Sequence, residues 1–448
     1  EFRRVLFRSA IQTSGNCIRN TTTDQFAGVA ADELVDPRPY CEIIRQWSTF
    51  HPEFTYLPRK FKIAVSGAEQ DRAATLVHDI GLHAVRNAEG EVGFRVIVGG
   101  GLGRTPMIGS VIREFLPAKH ILTYLDAILR VYNRFGRRDN KYKARIKILV
   151  KAMTADGFAA KVEEEWSHLK DGPATVPDGE FARMAEFFTA PAYETLNADD
   201  PAFTAKLAES PAFARWVARN TLKHKVAGYR AVTLSLKATG VPPGDATAEQ
   251  LDAVADWADA YSFGELRVSH EQNLILADVR ETDLFALWEQ ARAAGFATPN
   301  IGLLSDIVCC PGGDFCSLAN AKSIPIAAAI QQRFDNLDYQ HDVGELELNM
   351  SGCMNACGHH HSGHIGILGV DKQGSEWYQV SLGGSQGEHA SLGKVIGPSF
   401  AQDAMPDVIE KIIDVYLAQR HADERFIDTF RRIGVEPFKE KVYAQAAH

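Results

Sequence analysis

Cys310-Pro-Gly-Gly-Asp-Phe-Cys316 and Cys353-Met-Asn-Ala-Cys357 decide how this chain reads. They form a C-x5-C pair and a C-x3-C pair near the C-terminus. Four thiolates in two close pairs are what an iron–sulfur cluster needs. Their softness also suits zinc, although zinc ribbons usually use matched C-x2-C or C-x4-C knuckles. Disulfides or unpaired thiols are the plainest alternative. Cys309, beside Cys310, would change the first spacing to C-x6-C. Spacing and compartment favour the cluster over zinc or bare thiols.

Working outward, the chain has 448 residues, 45% hydrophobic and 23% charged. That is an ordinary globular composition, long enough for roughly two to four domains. The nearest thing to a membrane span, Ile324 to Ile330, is far too short. Seven cysteines, an odd number, argue against a secreted disulfide scaffold and for a reducing cytoplasm. A net charge of −9 argues against general nucleic-acid binding. An anionic substrate would need a local cluster of Lys and Arg. The opening Glu1-Phe-Arg-Arg-Val-Leu-Phe-Arg-Ser9 has no Met and no period. It reads as translated vector or adaptor sequence, is set aside, and leaves the native start expected upstream.

Asp36-Pro-Arg-Pro39 can open a helix over Tyr40 to Phe50. Phe61 to Ser66 and Gly93 to Val98 read as strands. Three helical stretches are expected from Ile108 to Trp166. Residues 170–225, punctuated by Asp199-Asp-Pro201, read as a connector. A strand (Tyr229 to Leu236), a helix (Thr247 to Tyr261), a strand (Glu265 to Val268, continuing Asn273 to Ala277) and a helix (Glu281 to Ala294) suggest a ferredoxin-like unit. Beyond it a helix is expected from Phe315, with Asp314 as its cap and an interruption at Pro325. Strands are expected at Glu345 to Met350, His364 to Val370 and Trp377 to Leu382, and a helix at Met405 to His421.

The cysteine pattern, with Asn355 and Gly358 around the second pair, closely resembles the sirohaem and [4Fe-4S] family of sulfite and nitrite reductases. Gly15-Asn-Cys-Ile-Arg19-Asn20 resembles its Arg-Asn segment, Tyr56-Leu-Pro-Arg59-Lys60-Phe61-Lys62 its basic strand, and Gly99-Gly-Gly-Leu-Gly103 its glycine-rich turn. The resemblance runs from about residue 10 to the end. It implies an α/β (α+β) pseudo-symmetric architecture, with a ferredoxin-like unit and two sirohaem-type α/β units. The expected division is 10–168 for the first sirohaem-type domain, 169–225 for a connector, 226–297 for the ferredoxin-like domain and 298–448 for the second sirohaem-type domain, which carries the cluster. The first ferredoxin-like unit of the family is expected to be missing.

The resemblance further implies six-electron reduction of sulfite to sulfide in sulfate assimilation. Nitrite reduction to ammonia is the alternative within the family, and a non-catalytic iron–sulfur or zinc protein the alternative outside it. All four cysteines would ligate the cluster, and Cys357 would bridge it to sirohaem as the axial thiolate. The family spacing selects Cys310 over Cys309. Arg19, Lys60 and Lys62 would bind the anion and the sirohaem carboxylates, supplying charge and, from the lysines, protons. Two lysines on one strand face otherwise read as a solvated edge. Lysine at both positions favours sulfite, since nitrite reductases tend to have asparagine at the second. Gly100 and Gly101 would hug the cofactor, and Asn355 would bond one of its carboxylates. Another family arginine falls in a Thr-x-Arg-Gln pattern, whose second-copy counterpart here carries Glu271. That copy therefore reads as structural, and cofactor binding and activity are expected to suffer from the missing unit.

No flavin or nicotinamide motif is visible, so electrons are expected from a ferredoxin or a separate flavoprotein subunit. Gly99 to Gly103 invites a dinucleotide reading, but Pro106 stands where the third glycine of G-x-G-x-x-G belongs. His359-His-His361 with His364 reads better as packing around the cluster loop than as a separate metal site. Arg134, Arg137, Arg138, Lys141, Lys143, Arg145 and Lys147 read as a solvated helix face, or as a surface for an acidic electron donor or the cofactor's carboxylates. Cys17 and Cys41 have no assigned role.

Overall fold

The computed structural model describes residues 15–49, 51–197 and 200–444. The opening nine residues, Phe50 and Asp199 lie outside the described residues. The chain divides into two units, one reaching to Tyr193 and taking in Gln386–Glu388, the other holding Glu194–Ser385 and the residues from His389.

The first unit runs β1 (Ile18–Thr22), α1 (Arg38–Ser48), β2 (Phe61–Ser66), β3 (Ile80–Arg86), β4 (Val92–Val98), β5 (Ser110–Pro117), α2 (Ile121–Phe135), α3 (Ile146–Met153), α4 (Ala155–Trp166) and α5 (Asp178–Ala185). Its sheet follows the order β1-β2-β3-β4-β5. β1, β2 and β3 are parallel, while β4 and β5 run antiparallel to their neighbours. β2 is buried on both faces, as a covered parallel strand must be, so Phe61, Ile63, Ala64 and Val65 are all apolar. Leu125, Ile128 and Tyr132 of α2 and Phe158 and Val162 of α4 complete that core. Each such buried side chain contributes about 1.5–3 kcal/mol. The helix expected to begin near Ile108 is instead β5. Val98 pairs with Ser110 and Ile97 with Val111, so sheet pairing overrides a local pattern that read as helical.

The second unit opens with α6 (Pro201–Glu209), α7 (Pro211–Asn220) and β6 (Thr221–Lys223), so the stretch read as a connector is largely helical. Asp200 and Ser210 cap the two helices, each followed by proline. Next come β7 (Tyr229–Leu234), α8 (Ala248–Tyr261), β8 (Leu266–Val268), β9 (Leu274–Arg280) and α9 (Leu284–Ala293). Their antiparallel sheet has the order β6-β7-β9-β8. The stretch read as one interrupted strand is thus a hairpin of two.

Then follow β10 (Val308–Cys309), α10 (Gly312–Phe315), α11 (Ile324–Arg333), α12 (Leu337–Val343), β11 (Leu348–Ser351), β12 (Ile365–Lys372), β13 (Ser375–Leu382), β14 (Lys394–Val395), α13 (Met405–Gln419), α14 (Phe426–Ile433) and α15 (Glu436–Tyr443). The helix expected from Phe315 ends there instead. Pro325 opens α11 rather than breaking a helix, because the first turn has no use for the missing N–H.

The sheet β10-β11-β12-β13-β14 repeats the first: three parallel strands, then two antiparallel turns of the chain. The repetition reaches single hydrogen bonds. Gly99 N–H donates to Asp79 O, and Gly383 N–H to His364 O. Gly101 bridges Met107 as Ser385 bridges Ser391. Tyr132 donates to Ala144 O and Tyr416 to Glu424 O. α2 and α13 each have 15 residues, and α3 and α14 each have 8. The molecule therefore carries the pseudo-symmetric α/β frame, its two copies separated along the sequence by an antiparallel unit.

Candidate functional site

In the first unit the expected cations converge. Arg19 lies in β1, Lys60 immediately precedes β2, and Lys62 is its second residue. Burial first, then Arg145, Lys62, Arg19 and Arg59, push the Lys60 ammonium below its ordinary value. No carboxylate pairs with Lys60 or Lys62 among the described residues. Crowded cations in which the two lysines lack a counter-charge suit an anion.

Residues outside the motifs build the site's floor. Asp79, fully buried just before β3, accepts the Lys62 N–H at 2.9 Å. It also pairs with Arg145 Nη2 at 2.7 Å. Arg145 stands at the N-cap of α3, and Lys147 lies in its first turn. Lys147 is only 5% exposed, and its ammonium donates to Gly101 O at 3.2 Å and Leu102 O at 2.9 Å. Burial, with Arg145 beside it, pushes its pKa down to about 8. The basic run is therefore not one solvated face, since Arg145 and Lys147 turn inward. Gly100 admits no side chain because Leu76 O and His78 O stand where its Cβ would be. At Gly101, φ is 152° and a Cβ would lie 3.2 Å from Arg145 Nη2. The Gly101 N–H is used by Met107 O, so this turn is held by its own backbone.

In the second unit the two cysteine loops leave the C-terminal ends of adjacent parallel strands, β10 and β11, the usual place for a site in such a sheet. Glycine lets them touch. A Cβ on Gly352 would lie 2.8 Å from Gly312 Cα, and one on Gly312 would strike the Ser323 N–H. Gly352 N–H donates to Cys310 Sγ at 3.1 Å, a bond suited to a thiolate acceptor. Cys353 is buried, Cys310 and Cys316 are partly so, and Cys357 and Asn355 are exposed. No three His, Cys, Asp or Glu side chains among the described residues converge on one ion. A cluster spreads its ligands over several iron atoms and does not require that convergence, whereas tetrahedral zinc does. The residues present fit a cluster. Burial pushes the Cys309 thiol up to about 12, so it remains a core thiol beside the ligand candidates.

The turn between β8 and β9 supports these loops. Gln272, in the left-handed region at φ 62°, donates to Cys309 O and accepts the Cys309 N–H, both at 2.8 Å. Buried Lys237 donates to Glu271 O at 2.8 Å and Ile307 O at 2.7 Å. Glu271 thus sits in a supporting turn. Of the histidines, His360 is 2% exposed and its imidazole is held neutral by burial, with a pKa near 3. Asp79 and Gln272 had no sequence signal, and Arg145 and Lys147 stood out only as part of the basic run, because each acts on residues distant in sequence.

The model for the nitrite and sulphite reductase 4Fe-4S domain matches residues 14–170 and 303–448, and that for the nitrite/sulfite reductase ferredoxin-like half domain matches 225–294. Sulfite reductase [ferredoxin] 1 of Mycolicibacterium paratuberculosis is 27% identical over 443 residues, 95% of this chain and 72% of that protein. Ferredoxin–nitrite reductase of Synechococcus elongatus is 28% identical over 419 residues, 90% and 73% of the two chains. The structure of Mycobacterium tuberculosis NirA superposes with a TM-score of 0.73 at 25% identity, covering 95% of this chain and 72% of the other. Matched over both of its repeated sheets, the chain belongs to the nitrite and sulphite reductase 4Fe-4S family, oxidoreductases that work with a [4Fe-4S] cluster and sirohaem.

Proposed function

We propose that this chain reduces sulfite to sulfide, with Cys310, Cys316, Cys353 and Cys357 holding the cluster and Arg19, Lys60 and Lys62 receiving the anion. The observation that carries the reading is the cation group of Lys60, Lys62, Arg19 and Arg145, in which neither lysine has a carboxylate partner among the described residues. Sirohaem and the cluster would supply the iron and electron chemistry when bound, with Cys357 proposed among the thiolates that would hold them. The protein's own part is electrostatic and protic. Arg19 offers a planar fork to an oxyanion. Lys60, its ammonium already destabilised by burial and like charge, releases a proton more readily than a free lysine. Asp79 fixes the Lys62 backbone and Arg145 together, which holds the cation group in register.

Lysine at position 62 favours sulfite, and nitrite is the second reading, since relatives bearing both names match to a similar extent. A ferredoxin is the proposed electron donor, because both relatives are named for it. A reducing cytoplasm suits seven cysteines that form no disulfide. No described helix is long and apolar enough to cross a membrane. The test is Lys62→Asn in the cofactor-loaded protein, with kcat/KM measured for both anions. A shift of the sulfite-to-nitrite ratio toward nitrite by about tenfold, ~1.4 kcal/mol, is expected. An unchanged ratio removes Lys62 from the substrate assignment.

A further inference from the structure

The repeated frame makes one side chain of the cluster half conspicuous. Ala74 at φ 53° and His359 at φ 55° occupy the same place in their loops. Val77 N–H returns to Ala74 O as Ser362 N–H returns to His359 O. Gly81 and Gly366 then give way to Thr75 O and His360 O respectively. His360 therefore stands where the other half has Thr75.

Thr75 is satisfied there. Its N–H and its hydroxyl donate to Asp71 Oδ2 at 2.9 and 2.7 Å. Four residues before His360 the chain has Ala356, inside the C-x3-C segment, with no side chain able to accept. His360 is 2% exposed, and neither ring nitrogen has a partner among the described residues. A neutral imidazole always carries one N–H, and a buried donor left without an acceptor costs about 1–3 kcal/mol. In the other half the Thr75 hydroxyl at this position reaches back to residue 71, whose counterpart here is Ala356, between Cys353 and Cys357.

We propose that the missing acceptor is sulfur of the [4Fe-4S] assembly, a ligand thiolate or a sulfide, and that the His360 ring N–H bonds to it. Such a bond stabilises the more negative reduced cluster and raises its potential. His360 is then a positioning and tuning residue, not a group that touches substrate. The inference rests on the cysteine assignment above.

The experiment uses the full chain purified with its cofactors. Pulsed EPR of the reduced cluster with ¹⁵N-histidine is expected to show a histidine nitrogen coupling through the hydrogen bond, absent in His360→Gln. Redox titration is expected to show that His360→Phe makes cluster reduction about tenfold less favourable, ~59 mV for a one-electron couple. His360→Gln, which keeps an N–H, should restore most of that shift. A cluster-bearing wild-type protein without the coupling, or His360→Phe with the wild-type potential, overturns the hydrogen bond alone. A wild-type protein with no cluster signal overturns the cysteine assignment and this inference with it. If His360→Phe cannot be purified, the wild-type spectrum still decides.

Discussion

Where one five-stranded sheet places Asp79, the other places His364. Each accepts the backbone N–H of the neighbouring strand, from Lys62 in one case and Glu347 in the other. Each is followed through the same glycine, with Val150 or Phe430 packed where a Cβ would go. Arg145 and Arg425 occupy the same N-cap, but Arg145 pairs with buried Asp79 at 2.7 Å, while Arg425 bonds Asp428 on its own helix and lies 3.9 Å from exposed Glu345. Lys147 of the first half corresponds to Ile427 of the second. The frame is thus indifferent to charge, and the chemistry of each half is set by a few side chains at its strand ends. One half gathers cations, and the other gathers thiols.

The largest expected break in this comparison is at Cys357, whose counterpart is Arg72. Cys357→Ser is expected to lower sulfite turnover by about a thousandfold, ~4 kcal/mol of barrier, measured with a reduced dye as electron source. Arg72→Ala, which removes pairs to Asp24 and Asp32, should instead act on stability and leave the cluster absorption in place. Next come Asp79→Ala and His364→Ala. The first strands Arg145 and should cost about 3 kcal/mol in urea unfolding. The second removes an acceptor from one N–H and should cost about 1–2 kcal/mol. Equal losses would mean that the Arg145 pair carries little.

The halves should also differ in pH response when the protein is free of cofactor. Lys147 in the folded chain titrates near 8, below the 10.5 of an ordinary lysine, so the unfolded chain binds more protons between these values. Stability from this group therefore rises as pH increases from 8 to 10.5. His364 titrates near 4 rather than 6.5, because burial and the nearby Arg425 and Arg431 disfavour its cation. Its contribution is present above 6.5 and is lost as pH falls toward 4. Each effect is on the order of 3 kcal/mol at most. Lys147→Met and His364→Asn should flatten the alkaline and acid limbs respectively. The smallest effect is expected from Gly101→Ser, which copies Ser385 into the first half. Its φ of 152° and the approach to Arg145 should cost about 1 kcal/mol, read as a small fall in Tm.

The cysteine ligand candidates were legible because their spacing is local. Lys60 and Lys62 stood out as candidates because strand alternation would put them on one face, although Lys60 falls just before β2. Asp79 was not, since its partners lie on β2 and at the cap of α3 and nothing local joins them. Lys147 was visible only as one of seven basic residues, and burial is not written in a charge run. β5 was misread because Ser110 and Val111 pair with β4, a contact invisible to local periodicity. One signal was present and overlooked. Gly383-Gly384-Ser385-Gln386-Gly387 echoes Gly99-Gly100-Gly101-Leu102-Gly103, and the echo marks the repeat.

β10 is the outermost strand of its sheet, and an outer strand ordinarily shows bare amides and carbonyls to any passing chain. The carboxamide of Gln272 meets both backbone groups of Cys309 as a neighbouring strand would. A single side chain so closes the edge beside the thiols against intermolecular pairing. The price of losing it would be paid in solubility, most of all while the cysteines still await their iron.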